Sequence, residues 1–501
     1  MNKKRLFQVI GVVTIINILS RLLGFIREAV VGYQFGTSSL ADSVILAYTI
    51  PNFLYLVLGG AVTTAYISVY SKINDEIHKQ RFHNTVFTYL LIFTSLLTML
   101  LMIFSKQVVG LFFYGLKGSQ LATTSQLFSL MAPSIILLIF STWFSGILNV
   151  QNQFYSAALA TLANNGFFVL IAIILYPLCG VYAYGWGAII SSIIMIVVLI
   201  VYLRKAGHVR FRFQLGVLEK EYVLRMLKIA LPVLLGGATL QFYFFVQRIF
   251  ASQLENGYVA ALNYASKFVQ LPQTILMTGV TTVIYPLLAK KTAEKDYDGI
   301  SQIFFKGLQS LIVLIVPVSI FVYFYAEEIV KVIFEYGSFT SQSTKMTAMM
   351  LKIFVIGMFA HAANLFVTRF FYAMEKSLTP VVTGIVAVFG VNICIIKLFI
   401  QKYGAAAIAW GITISALFQF VALVGIGLCC LHLRMEKKGV WLRLIGYIAS
   451  VTAVVSLIRV YFHFGYDIVN LAVGFLLFLI SSFSLLILFR LFHYKRLPFP
   501  Q

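Results

Sequence analysis

Apolar stretches of about twenty residues or more recur along almost the whole chain of 501 residues. A helix needs about 20 such residues to cross the hydrocarbon core of a bilayer. On that measure fourteen spans are expected, at residues 6–33, 40–70, 84–104, 124–149, 157–177, 182–203, 226–251, 258–288, 303–325, 346–373, 379–400, 404–431, 441–462 and 468–491. The expected fold is therefore all-α, a polytopic membrane protein. Charged residues make up only 11% of the chain, against about 25% in a soluble domain. The longest polar stretch, from Arg204 to Lys228, is too short to fold by itself, since a minimal domain needs about 50 residues.

The start, Met1-Asn2-Lys3-Lys4-Arg5, resembles the opening of a signal peptide. The apolar run behind it is too long and lacks a small-residue cleavage site, so a retained first span is expected. The net charge of +22 does not point to nucleic acid, because the basic residues fall in short loops between spans. The loops on the N-terminal side of an even count hold Lys72, Lys79 and Arg81; Arg204, Lys205, Arg210, Arg212, Lys220, Arg225 and Lys228; Lys290, Lys291 and Lys295; and Arg434, Lys437, Lys438 and Arg443. The opposite loops hold few, and Glu327, Glu328 and Glu335 lie on that side. This bias places both termini in the cytoplasm, with membrane lipids as neighbours. Cys179, Cys394, Cys429 and Cys430 form no C-x-x-C pair and are expected as buried, inert thiols.

Two segments match. Pro51-Asn52-Phe53 followed by Gly60-Ala61-Val62-Thr63-Thr64 finds an echo in Pro272-Gln273-Thr274 followed by Gly279-Val280-Thr281-Thr282. Each lies in the second span of a six-span unit if spans 1–6 and 7–12 are parallel copies, and repeats of this kind frame the site in many transporters. The expected division is an N-terminal lobe over 1–203, a cytoplasmic basic linker over 204–225, a C-terminal lobe over 226–431, and spans 13 and 14 with a cytoplasmic tail over 432–501. The last two spans serve as packing elements or border a lipid-binding groove.

Cations within spans carry the functional signal: Arg21 and Arg27 in the first, Arg248 in the seventh, Lys267 in the eighth, Lys352 and Arg369 in the tenth. Charge at the bilayer centre costs about 2.5–3.5 kcal/mol per residue on insertion scales, so such groups face a protein interior or a wet cavity. Arg suits a diphosphate, because its planar fork donates paired hydrogen bonds. Arg21 and Arg27 project about 120° apart on their helix. Glu28 or Asp42 would neutralise one arginine in the empty state; the alternative is that Arg27 and Glu28 form a salt bridge that only sets packing. Arg248 lies near a span end, where snorkelling to the interface is one role open to it, and Lys352 lies near an end where snorkelling is the expected role. Acidic residues in the spans are too few for paired-carboxylate catalysis, and no His/Cys cluster has metal-ligand spacing. Enzymatic activity is not expected. No Walker-type loop is present and no cofactor is expected, so an ion gradient, the membrane potential or a partner must supply the energy.

Ser20-Arg21-Leu22-Leu23-Gly24-Phe25-Ile26-Arg27-Glu28, then Phe35-Gly36, Ala41-Asp42 and Pro51-Asn52, resembles the N-terminal signature of the MurJ family of lipid II flippases, within the multidrug/oligosaccharidyl-lipid/polysaccharide exporter superfamily. Ser145-Gly146-Ile147-Leu148-Asn149 with Val150-Gln151-Asn152-Gln153-Phe154, Tyr264-Ala265-Ser266-Lys267 with Leu271-Pro272, and Phe371-Tyr372-Ala373 with Thr379-Pro380 resemble later motifs of that family. The resemblance implies fourteen helices, as two six-helix lobes plus two C-terminal helices that bound a groove for a polyprenyl tail. It implies a cavity whose arginines hold a diphosphate, with Arg21 and Arg27 matching two of them and Asp42 an acidic position. The chain departs from the pattern at Phe53-Leu54-Tyr55-Leu56, where the family commonly has an arginine, at Lys267 in place of an arginine, and at Gln270 in place of a glutamate. Lys keeps the charge without the bidentate fork.

The expected function is transfer of a polyprenyl-diphosphate-linked saccharide, lipid II of peptidoglycan biosynthesis, from the inner to the outer leaflet. Arg21, Arg27, Asp42, Arg248, Lys267 and Arg369 are the expected binding residues. Another lipid-linked exopolysaccharide or teichuronic-type repeat unit is the alternative cargo. A cation-coupled drug exporter is a further reading, against which the basic cavity counts. Cell-envelope synthesis enzymes are candidate partners.

Overall fold

The computed structural model describes residues 3–207, 211–216, 219–431, 433, 438–462 and 464–491. Of the expected basic loop markers, Arg210, Arg434 and Lys437 lie outside the described residues, as do the tail after Leu491 and the side chains of Gly279-Val280-Thr281-Thr282. The described residues are mostly helical, with no strand among them. Two compact units are present, residues 1–263 and 264–501.

The first unit runs α1 (Lys3–Phe35), α2 (Ser39–Leu54), a π-helical turn (Tyr55–Gly59), α3 (Gly60–Tyr70), α4 (Glu76–Ile103), α5 (Ser105–Phe112), α6 (Gly118–Met131), α7 (Ser134–Val150), α8 (Phe154–Cys179), α9 (Ala183–Lys205), α10 (Lys220–Ala251) and the first turns of α11 (Tyr258–Ala293). The second holds the rest of α11, then α12 (Tyr297–Phe324), α13 (Ala326–Phe334), α14 (Ser341–Ala373), α15 (Leu378–Ile385), a π-helical turn (Val386–Asn392), α16 (Ile393–Tyr403), α17 (Ala405–Cys430), α18 (Lys438–Tyr461) and α19 (Asp467–Leu488). Each of the fourteen expected spans coincides with one of these helical stretches. Nine stretches of the described residues are long and apolar enough to cross a bilayer, and the α6–α7 pair, bent by 42°, makes a tenth. Pro133 supplies no N–H at that bend, which explains the break. α1, α10 and α11 span 33, 32 and 36 residues, well beyond crossing length, and they carry most of the intramembrane cations.

The unit boundary falls inside α11. α10 packs on α3, α2 and α4 and on the π-helical turn between α2 and α3. Two short helices, α5 and α13, were not expected, because eight or nine residues are too few to span. They begin at 105 and 326, 221 residues apart. Left-handed backbone recurs at similar distances: Gly36 and Gly257 (φ 58° and 93°), Asn152 and Glu375 (61° and 58°), Gly180 and Gly404 (54° and 52°). The same order of helices and the same turn chemistry thus run twice along the chain.

Side-chain caps start several helices. Ser38 accepts from the Ala41 N–H, Asp75 from Ile77, Asp296 from Gly299 and Thr340 from Ser343, each supplying an acceptor that the first helical turn lacks. The core of the first unit gathers around Trp143, with Tyr66, Phe82, Phe140 and Phe144. The stretch expected as a cytoplasmic basic linker contributes to it. Phe211 lies 5.0 Å from the rings of His83 and Phe144 and 5.2 Å from Phe87. The Arg212 N–H donates to Asn84 Oδ1 (3.2 Å) and the Gln214 N–H to Thr88 Oγ1 (2.9 Å). Asn84 and Thr88 are four apart, on one face of α4. Residues 211–216 therefore form a strap across that helix, followed by a His78–Glu219 contact of 2.7 Å.

In the second unit α14 packs along α17, where Gly357 lets the helices approach: a Cβ there would meet Thr413 Cα at 3.2 Å. The α18–α19 hairpin is fastened to α13. Lys331 pairs with Asp467 at 2.7 Å, and Arg459 pairs with the buried Glu328 while lying 5.1 Å over the Tyr325 ring. The thiols differ from expectation. Cys394, Cys429 and Cys430 are exposed and Cys179 is half-buried. A thiol behaves as a small apolar group, so an outward position on an apolar helix surface suits it equally well.

Candidate functional site

Arg27 and Glu28 are neighbours on α1, and their side chains meet, with Arg27 Nη2 donating to Glu28 Oε1 at 2.8 Å. The Glu28 side chain is 6% exposed and that of Arg27 17%. The Arg27 guanidinium lies 5.0 Å from the Tyr48 ring of α2 and 5.0 Å from the Phe168 ring of α8. Stacking on aromatic faces suits a weakly hydrated guanidinium that has left water. Glu28 uses its second oxygen as well: Asn263 Nδ2 donates to Oε2 at 2.7 Å. Asn263 Oδ1 in turn accepts from Arg248 Nη2 at 3.0 Å. Arg248 also lies within electrostatic reach of Glu28 and Arg27. Helices α1, α10 and α11 thus bring two guanidinia to one carboxylate, the first directly and the second through a carboxamide.

The two guanidinia and the Glu28 carboxylate together carry a net charge of +1. Desolvated charge is costly unless it is paired, and a dianionic group with several acceptor oxygens complements it. Arg248, for which both snorkelling and binding were open from its place near a span end, donates to Asn263. Tyr48 and Phe168 were not singled out in the sequence. Nothing in the sequence marks Asn263 as a partner of Glu28, 235 positions away.

Asp42 lies in the first turn of α2 and is buried. Oδ2 accepts from the Gly257 N–H at 2.6 Å and Oδ1 from the Ala260 N–H at 2.8 Å. Both carboxylate oxygens therefore serve the backbone at the start of α11, and it is Glu28 that pairs with Arg27. Arg21 is exposed on α1, and among the described residues it makes no ion pair. Lys267 is half-buried on α11 and Arg369 exposed on α14, both in the second unit. Lys352 is half-buried on α14. Among the described residues no group of three or more His, Cys, Asp or Glu side chains is placed to hold a metal ion.

The helical order and the basic cluster together describe a multi-pass transporter-like membrane protein. The fold is shared with an inward-facing multidrug resistance MATE family transporter of the MOP superfamily, with a TM-score of 0.67 and 14% identity over 86% of this chain and 96% of that one. It matches a lipid II flippase MurJ in an inward closed conformation more fully, with a TM-score of 0.83 and 22% identity over 95% of this chain and 98% of that one. A probable lipid II flippase MurJ from Buchnera aphidicola is 25% identical over 429 residues, 82% of this chain and 81% of the relative. The family model of the lipid II flippase MurJ matches residues 31–482. The chain belongs to the MurJ lipid II flippase family.

Proposed function

We propose that this protein moves lipid II from the inner to the outer leaflet of the bacterial cytoplasmic membrane, with Arg27 and Arg248 as ligands of its diphosphate. The observation that carries this reading is the gathering of two guanidinia around one carboxylate, Arg27 directly and Arg248 through Asn263. Each has N–H donors left for phosphate oxygens, and Arg forks bind phosphate in bidentate fashion. Arg21, Lys267 and Arg369 are proposed as further cations along the route of the anion on the strength of the sequence alone. Asp42 serves by fixing the start of α11. Both termini face the cytoplasm on this reading, in keeping with the basic loops, and alternating access exposes the cargo to each side in turn. An inside-negative potential would favour outward movement of an anion by about 2.3 kcal/mol per charge per 100 mV. No organic cofactor takes part.

The test is complementation of a strain depleted of its own lipid II flippase, scored by growth and by lipid II exposed on the outer face. The wild-type chain restores both, while Arg27→Ala and Arg248→Ala reach the membrane in normal amount and restore neither. Lack of rescue by well-expressed wild-type protein would overturn the reading, and so would full rescue by both variants.

A further inference from the structure

The Asn263 carboxamide occupies a position for which its chemistry is unusually suited. It is 3% exposed. A carboxylate only accepts hydrogen bonds and a guanidinium only donates them. The side chain between Glu28 and Arg248 must therefore donate on one side and accept on the other, and its orientation follows from its partners. Nδ2 faces Glu28 Oε2 at 2.7 Å and Oδ1 faces Arg248 Nη2 at 3.0 Å. An aspartate of the same shape would accept from Arg248 equally well. It would also set a second negative charge against Glu28 and cancel the surplus positive charge of the cluster.

We propose that Asn263 is a positioning residue that sets the charge selectivity of this site: it aims Arg248 without neutralising it, so that two guanidinia and one carboxylate keep a net charge of +1 for an anionic headgroup. The proposal rests on the reading that the cluster receives a diphosphate. It makes residue 263, which need not touch the cargo, a determinant of which cargo is accepted. A carboxamide there favours a phosphate-bearing lipid, whereas a carboxylate leaves a neutral site with no preference for an anion.

The charge can be stepped by near-isosteric changes. Glu28→Gln gives +2, the wild type +1 and Asn263→Asp 0. The test measures binding of farnesyl diphosphate to the purified full-length protein at several salt concentrations, with thermal unfolding of each variant alongside. Affinity should rise about tenfold from wild type to Glu28→Gln and fall about tenfold in Asn263→Asp, each step being about 1.4 kcal/mol. The salt dependence should steepen and flatten in the same order. Asn263→Ala, which keeps the charge but frees Arg248, should lose only a few fold and keep the wild-type salt dependence. A purely structural role predicts losses that follow the unfolding temperature and ignore the sign of the change. The proposal is overturned if Asn263→Asp binds as tightly as wild type, if Glu28→Gln binds more weakly, or if Asn263→Ala and Asn263→Asp lose equally. The two readings fail separately. Charge-ordered binding without lipid II exposure in cells would sink the function and keep this inference, and lipid II exposure without charge-ordered binding would do the reverse.

Discussion

Replacing Asp42 separates a structural carboxylate from a cargo-binding one. Its two oxygens accept from the Gly257 and Ala260 amides at 2.6 and 2.8 Å, and the side chain is 2% exposed. The surroundings leave no slack, since a Cβ on Gly257 would stand 2.2 Å from the Thr37 carbonyl oxygen. Asp42→Ala removes an acceptor from the first turn of α11, worth about 1–2 kcal/mol for a cap. It also leaves a second buried N–H without a partner, at about 1–3 kcal/mol. The loss should therefore be about 2–5 kcal/mol. Asp42→Asn keeps one acceptor, presents an NH2 group to the other amide and gives up the favourable charge at a helix N-terminus. Its loss should be about 1–3 kcal/mol. Denaturant unfolding of the purified protein in mixed micelles measures both, with the order wild type, Asn, Ala. If both variants unfold like wild type while transport disappears, the carboxylate acts on the cargo and the capping argument is refuted.

Three further outcomes follow from particular contacts. Asn152 and Glu375 hold left-handed backbone without being glycine, so Glu375→Gly should stabilise the protein by about 0.5–1 kcal/mol and Asn152→Gly by less, because Asn tolerates that region better; unfolding curves will show it. Phe211→Ala removes the ring that seats the strap among His83, Phe87 and Phe144, and trypsin should then cut beside Arg212 several times faster. The Lys291 ammonium at 2.8 Å and the Gly299 N–H hold the Asp296 carboxyl below the usual carboxylate range. The stabilisation from this lowered value is present above the ordinary carboxylate pKa and is lost as pH falls through the folded one, so Asp296→Asn should show a smaller loss of stability than wild type between pH 5 and pH 3.

The spans were readable because crossing length is set by the bilayer and asks nothing of tertiary contacts. α5 and α13 were not, since eight or nine amphipathic residues leave no such mark. Arg27 and Glu28 announced themselves by adjacency, though their pairing alone fits packing as well as binding. What turns the pair into a site is Asn263 and Arg248, together with the rings of Tyr48 and Phe168, which only the folded chain brings to α1. Position along a span left Arg248 open between snorkelling and binding, because depth says nothing of a carboxamide partner on the next helix. Asp42 was legible as an acid within a span, but its partners are backbone amides, which no side-chain pattern reports. The strap was hidden for the same reason: its bonds run from the main chain of residues 212 and 214.

The clasp between α13 and the C-terminal hairpin bears on any shortened version of this gene. A chain ending before α18 would discard Arg459 and strand the buried Glu328 carboxylate. Removing one partner of a buried pair costs about 3–5 kcal/mol. Such a product could be degraded for a reason unrelated to whatever its last two spans contribute to lipid handling. Pairing the truncation with Glu328→Gln discharges the orphan, so that what remains of the defect reports on the missing helices themselves.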